Sequence, residues 1–147
     1  QDRVGLTVFN DKVTPLAPIA PIRGNRGRLQ GLVSGLVADG GTSIYDATDE
    51  GVAQVSKLAD TSRINAVVLL TDGEDTDSTK TVGALVRDLD AQGDSPRRVR
   101  VFTIAYSAGA AGAADNLARI SGASGAKPYT GNTDDIETVY RSISSFF

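Results

Sequence analysis

The chain has 147 residues, of which 40% are hydrophobic and 22% charged, and its formal net charge is −3. This length allows one domain with one core, and the composition predicts a soluble globular fold without a membrane span. The chain contains no Cys and no His, which excludes disulfides, thiolate metal sites, cysteine nucleophiles and histidine-based catalysis. Any bound metal would therefore have oxygen ligands, and the negative charge argues against a nucleic-acid surface.

Short apolar runs alternate along the chain with segments of helical periodicity, which is typical of a layered α/β domain. In chain order the pattern predicts strands at 4–9 and 13–16, helices at 29–36 and 44–58, a strand at 66–70, a helix at 82–89, a strand at 99–106, a helix at 117–120, a strand at 127–129 and a helix at 136–146.

Two details of this pattern refine the fold. The second strand contains Pro15 and is followed by two more prolines, so we expect the first two strands to form an antiparallel hairpin at a sheet edge. The run 66–70 is almost purely apolar, which predicts a strand in the middle of the sheet with helices on both faces. The prediction is a doubly wound, mostly parallel sheet. At the start of the last helix, Asp134 and Glu137 have capping-box spacing.

The first candidate site follows the most apolar strand. Asp72 stands at the predicted carboxyl tip of that strand, where open parallel sheets bind ligands, and Gly73 would let the backbone turn away. Four carboxylates lie within six residues there and repel one another unless solvated or bridged by a cation. For Glu74, Asp75 and Asp77 we favour a solvated turn and helix-capping role, and for Asp72 a functional one.

The second candidate site is the loop 39–43, which contains two glycines followed by Thr42 and Ser43 at the start of a helix. A glycine turn before an ordinary Ser or Thr helix cap would have the same sequence. However, a hydroxyl at one strand-helix junction and a carboxylate at another can share one hard cation. Mg²⁺ prefers such oxygen ligands and usually retains several waters.

Five segments of the chain, in order, resemble the von Willebrand factor type A domain. They are RVGLTVFND (3–11), GGTSIYDA (40–47), VLLTDGED (68–75), RVFTIAY (100–106) and LARISGASG (117–125). The resemblance spans 1–147 and implies a Rossmann-like fold with a metal-ion-dependent adhesion site. In the family that site takes a D-x-S-x-S loop, a threonine and an aspartate. By resemblance the threonine is Thr42 and the aspartate Asp72, with Gly41, Ser43, Gly73 and Glu74 around them.

The D-x-S-x-S loop does not occur in this sequence, and the chain lacks Met. By resemblance, the family's first, central strand and this loop should precede Gln1, so we expect an amino-terminally truncated domain. We also expect a gap between the strands at 4–9 and 66–70, because the missing strand would bond to both. A strand-swapped or strand-complemented dimer could fill that gap.

The resemblance implies a non-enzymatic protein-binding module of a larger bacterial protein, at the cell surface or anchored to a membrane. The cofactor would be Mg²⁺, or Mn²⁺ or Ca²⁺, with an acidic residue of the partner completing its shell; this fragment could hold it weakly or not at all. One alternative is a structural domain with a degenerate site. A metal-dependent phosphoryl-transfer enzyme is disfavoured because no phosphate-binding loop or paired acidic motif occurs. The basic cluster Arg97, Arg98 and Arg100 fits a solvated face better than a nucleic-acid contact.

Overall fold

The computed structural model describes residues 2–106, 112–131 and 136–145. In chain order the helices and strands are β1 (Arg3–Phe9), β2 (Val13–Pro21), α1 (Arg26–Ser34), α2 (Ile44–Ser56), β3 (Asn65–Thr71), α3 (Val82–Asp90), β4 (Val99–Tyr106), α4 (Ala114–Ala123), β5 (Pro128–Gly131) and α5 (Ile136–Ser144). This confirms the α/β class. Asp134 and Phe146, predicted to cap and extend the last helix, lie outside the described residues. No helix in the described ranges is long and apolar enough to cross a membrane.

The strands form two separate sheets in the described part of the chain. The first is the antiparallel hairpin of β1 and β2, and the second is a parallel sheet with the order β3-β4-β5. The hairpin is confirmed, and so is the gap expected between its first strand and β3. The mid-sheet position predicted for β3 is wrong, because β3 has a hydrogen-bonded neighbour on one side alone within the described residues.

Strand β4 organises the core because its side chains alternate between two helical layers. Val101 packs with Leu85 and Leu89 of α3 and with Ile120 of α4. Phe102, the next residue, faces the other way and belongs to the cluster that includes the buried apolar residues of α5. A strand covered on both faces requires a continuous apolar run, which explains the sequence of β4.

Strand β2 extends to Pro21, five residues beyond its predicted end. Its pairing with β1 shifts register twice, between Val4 and Leu6 and again between Leu6 and Thr7. Such bulges leave extra residues of one strand unpaired, so a strand rich in prolines, which have no N–H, can continue. Gly5 lies at the first shift, where a Cβ would come within 2.8 Å of the Ile19 side chain.

Helix α1 carries apolar side chains but contributes none to the core. None of its residues is buried, and Val33 and the following Leu36 and Val37 are exposed. On β3, Val68 and Leu70 are each 42% exposed although they lie in a parallel sheet. Apolar surface is therefore left exposed in two places, on β3 and along α1 with the residues that follow it.

Candidate binding site at the carboxyl edge of the sheet

The loop containing Thr42 and the acidic loop after β3 are joined by reciprocal hydrogen bonds. The backbone N–H of Thr42 donates to the Thr76 hydroxyl (2.9 Å) and to the Asp77 carboxylate (3.1 Å). In return, the N–H groups of Thr76 and Asp77 donate to the Thr42 carbonyl oxygen, at 2.8 and 3.3 Å. Residues more than thirty positions apart in sequence thus form one surface. We call residues 39–43 and 72–78 together the acidic edge.

Gly41 makes the close approach of these loops sterically feasible. A Cβ placed on Gly41 would overlap the carboxylate of Asp77 and would come within 3.1 Å of the Thr76 hydroxyl. The Asp77 carboxylate therefore occupies the space that a side chain at position 41 would need.

The first turn of α2 receives its hydrogen-bond acceptors from the acidic loop. The N–H of Tyr45 donates to Asp75 Oδ1 (3.2 Å) and Ser78 Oγ (3.0 Å), and the N–H of Asp46 donates to Ser78 Oγ (3.2 Å). The first N–H groups of a helix have no partner within the helix, and their positive end favours a carboxylate. Ser43 occupies the N-cap position but its side chain makes no capping bond. Asp75 and Ser78 therefore cap α2 from a distant loop.

Asp46 ties α2 to the far end of the acidic loop. Its carboxylate accepts hydrogen bonds from the N–H of Thr79 (2.8 Å), the hydroxyl of Thr79 (2.9 Å) and the N–H of Lys80 (2.9 Å). Burial alone would raise the pKa of Asp46, but these three hydrogen bonds stabilise the charged carboxylate and lower the pKa below its usual value. Asp46 is thus a structural acceptor in the described structure.

Lys80 anchors the end of the same loop between two helices. Its ammonium lies 2.6 Å from Asp49 of α2 and 2.7 Å from Asp88 of α3. Burial would lower the pKa of Lys80, but the hydrogen bonds to the two carboxylates outweigh burial and raise it. The loop is fixed at this end by charge pairing and at the other by β3.

Tyr45 links the acidic edge to α4. Its hydroxyl accepts a hydrogen bond from the Asn116 side chain at 3.1 Å. Burial raises the pKa of Tyr45, and the nearby carboxylate of Asp75 raises it further. The phenol therefore stays neutral at physiological pH and serves as a hydrogen-bonding brace.

The predicted site residues occupy different environments on this edge. Thr42 is half-buried, and Asp72 is exposed directly beyond the last residue of β3, as predicted from the chain order. Ser43 is buried, and its N–H donates to the Asn10 carbonyl oxygen at 2.8 Å. Glu74 lies against Gly112, where a Cβ would overlap its carboxylate.

Gly73 does not have the special backbone role that its position suggests. Its φ angle is not positive, and a Cβ there would meet no atom within 4 Å. Its N–H and carbonyl oxygen both pair loosely with the Thr71 hydroxyl, at 3.4 and 3.3 Å. The sharp positive-φ turn lies instead at Gly40, beside Asn10 and Asp11.

The donor chemistry of the acidic edge suits a hard cation, but the number of ligands falls short of a full set. The available groups are oxygens from carboxylates and hydroxyls, which Mg²⁺ prefers. Within the described ranges, however, no three acidic side chains converge in an arrangement that could hold a metal ion. Asp75 and Asp77 are already used as hydrogen-bond acceptors for α2 and the Thr42 loop.

Sequence reasoning missed the residues that hold the two loops together, which are Asp46, Thr76, Ser78, Thr79 and Lys80. The two adjacent glycines before Thr42 were the one available signal, since they indicate that something approaches the backbone closely. They did not indicate that the approaching group is a carboxylate of the same chain.

Comparisons with known proteins agree with this architecture. The family model described as von Willebrand factor type A domain matches residues 1–142. No curated protein sequence matches the chain.

Several solved structures share the fold. BatB, a conserved hypothetical protein from Bacteroides thetaiotaomicron, superposes with a TM-score of 0.70 at 13% identity, covering 98% of this chain and 78% of its own. An aerotolerance-related membrane protein from Bacteroides fragilis superposes with a TM-score of 0.69 at 14% identity. The match covers 99% of this chain and 80% of that protein. Proximal thread matrix protein 1 of the mussel byssus superposes with a TM-score of 0.63 at 16% identity. The match covers 96% of this chain and 34% of that protein.

Proposed function

Because the chain belongs to the von Willebrand factor type A family, whose domains commonly mediate protein interaction, we propose that it binds a protein partner through the acidic edge. Domains of this family are generally non-enzymatic, so we infer that the chain acts by binding and not by catalysis. The observation that carries the proposal is the junction of the Thr42 loop and the acidic loop into one exposed surface.

We propose further that partner binding depends on a divalent cation, Mg²⁺ first. The Asp72 carboxylate and the Thr42 hydroxyl would hold it, with Gly41, Ser43, Gly73 and Glu74 around them. A bound cation supplies a positive centre that an acidic side chain of the partner can coordinate. Asp72 suits this role because it is exposed at the end of β3. Asp75 and Asp77 accept hydrogen bonds from the backbone N–H groups of Tyr45 and Thr42. The remaining ligands would come from outside the described residues.

Paramagnetic broadening by Mn²⁺ tests the cation site, because a low occupancy is enough to broaden nearby amide signals. We expect the amides of Thr42 and Gly73 to broaden first, and Asp72→Asn to abolish this selectivity. Asp90→Asn is the matched control, since Asp90 is an exposed carboxylate at the far end of α3. Broadening that survives Asp72→Asn, or that is equal at all carboxylates, would contradict the assignment and favour a structural domain with a degenerate site.

One edge of β3 has no neighbouring strand among the described residues, and this edge supports a second proposal about a partner. We propose that the isolated chain pairs with a second copy through this edge, since an unpaired strand edge with exposed apolar side chains is a template for another strand. Val68 and Leu70 lie on that strand, and the hairpin does not bond to it. The twofold symmetry of a dimer would place the two β3 strands antiparallel.

Sedimentation equilibrium tests the dimer. We expect self-association that Val68→Lys weakens at least tenfold, because a charge on an edge strand opposes pairing. Val37→Lys is the control, because Val37 is 87% exposed and lies outside both sheets. A chain that stays strictly monomeric would overturn the dimer and leave a segment of a longer protein as the occupant of the edge.

We also propose an extracytoplasmic location at a bacterial membrane or cell surface. Support comes from the structural likeness to a protein described as an aerotolerance-related membrane protein. Protease treatment of intact cells should degrade the protein if this location is right, whereas full protection until lysis would contradict it.

A further inference from the structure

A cavity of about 510 Å³ lies at the opposite end of the sheet from the acidic edge. Its wall includes Asn65, the first residue of β3, and the segment that leads into β4. The volume falls within the range of small-molecule sites, about 300–1,000 Å³. The charged residues that line it are Arg63, Asp94, Arg98 and Arg100. We call this space the arginine cavity.

The arginine cavity has a positive charge excess although the chain is negative. Three arginines face one aspartate across its wall. Arg98 pairs with Asp94 at 3.0 Å, and Arg63 pairs with Asp60 outside the wall. Among the described residues, Arg100 has no ion pair and no side-chain hydrogen bond. Its guanidinium therefore keeps its donors for another acceptor.

Arg98 is held rigidly and still has an unsatisfied donor. Its Nη2 donates to the Ala123 carbonyl oxygen at 2.9 Å, and its guanidinium lies against Gly125, where a Cβ would come within 3.0 Å. Its Nε is buried and has no hydrogen-bond acceptor within the described part of the chain. A buried donor without a partner costs about 1–3 kcal/mol.

We propose that the arginine cavity binds the phosphate group of a small molecule. Guanidinium groups present planar, fixed N–H donors that match phosphate oxygens, and they remain charged at all physiological pH values. Arg63 and Arg98 are each paired with an aspartate, so the three arginines and these two aspartates leave a net charge of +1, which complements an anion. The cavity is larger than a bare phosphate, so the ligand carries an organic part as well.

Titration with inorganic phosphate at low ionic strength, followed by amide chemical shifts, tests the site. We expect saturable shifts around Gly125 and Asn65, and Arg100→Gln to weaken phosphate binding at least tenfold. Arg97→Gln is the matched control, because it removes the same charge three residues away from an exposed side chain that does not line the cavity. Equal weakening by both variants, or shifts that do not saturate, would overturn the proposal.

Two further titrations, one with acetate and one of the Asp72→Asn variant with phosphate, test the ligand chemistry and the independence of the two sites. Acetate should bind at least tenfold more weakly than phosphate, and an equal or tighter affinity for acetate would replace the phosphate proposal with a carboxylate site. Asp72→Asn should leave phosphate binding unchanged, so failure of the cation site and failure of the arginine cavity are distinguishable. Thermal unfolding of Arg100→Gln checks that lost binding does not reflect lost folding.

Discussion

The acidic edge and the arginine cavity lie at opposite ends of the sheet. In each of them a glycine makes room for a charged side chain, a carboxylate at the acidic edge and a guanidinium in the arginine cavity. At the acidic edge, the Asp77 carboxylate occupies the space beside Gly41. At the arginine cavity, the Arg98 guanidinium lies against Gly125. In both places the absence of a Cβ lets a charged group lie directly against the backbone.

The two regions differ in how their charges are used. At the acidic edge, Asp75 and Asp77 accept hydrogen bonds from backbone N–H groups of another loop. In the arginine cavity, by contrast, Arg100 makes no side-chain hydrogen bond within the described ranges. Counting charges would therefore overstate the ligands available at the acidic edge. A charged side chain is available to a ligand to the extent that the fold does not already use it.

Replacement of Gly41 by Ala should have the largest effect on the acidic edge. The new Cβ would displace the Asp77 carboxylate and break its bond to Thr42, so we expect a loss of about 3 kcal/mol from overpacking and the lost charged hydrogen bond. Gly73→Ala is the control, because position 73 has open space and no positive φ. Urea unfolding measures both. Equal stability of the two variants would show that the loops are not joined as described.

Removal of the Asp46 carboxylate should have the next largest effect. Asp46→Ala leaves two N–H groups and one hydroxyl without their acceptor, and we expect it to lower the free energy of unfolding by about 2 kcal/mol at pH 7. Because the folded pKa lies below the usual 3.8, the wild-type advantage should be fully present above that value. It should shrink as pH falls through the folded pKa.

Urea unfolding of wild type and Asp46→Ala between pH 7 and pH 2.5 measures this dependence. A stability difference that is the same across the whole range would contradict the assignment of Asp46 as a charged acceptor. Asp49→Ala is the comparison variant, since Asp49 is 48% exposed in its ion pair with Lys80. Exposed pairs contribute less than about 1 kcal/mol.

The alternating sheet-and-helix order was predictable because each element has its own hydrophobic period. The strand Val99–Tyr106 matches its predicted bounds, since an apolar run covered on both faces is a strong local signal. The extent of β2 was not predictable, because bulges depend on the partner strand. The gap beside β3 was expected from the family resemblance and not from the sequence of β3. Its sequence is that of a mid-sheet strand, and nothing local to it records which neighbours it has.

The site was predictable to the level of loops and not of contacts. The chain order placed Asp72 at the carboxyl end of a strand, where ligand-binding loops converge, and Thr42 at the start of a helix, and the structure joins their loops. A helix-capping role was predicted for Asp75, but neither the identity of the capped helix, α2, nor the part that Ser78 takes could be predicted. A side-chain acceptor thirty residues away depends on loop conformation, whereas sequence rules for caps describe residues within the same turn.

Replacement of Gly125 by Ala should have the smallest effect and bears on the arginine cavity. Gly125 has φ of +72°, and its new Cβ would lie 3.0 Å from the Arg98 guanidinium. We expect a loss of about 1.5 kcal/mol, mainly from backbone strain. Gly122→Ala is the control, since it lies within α4 with no atom within 4 Å, and alanine should there raise stability slightly.

The Gly125 variant also tests whether the fixed position of Arg98 matters for binding. If the guanidinium must lie against position 125 to present its donors, Gly125→Ala should weaken phosphate binding more than Gly122→Ala does, at equal fraction folded. Chemical-shift titration of both variants measures this. Unchanged phosphate affinity in Gly125→Ala would show that Arg100 and Arg63 suffice, and that the glycine serves the turn alone.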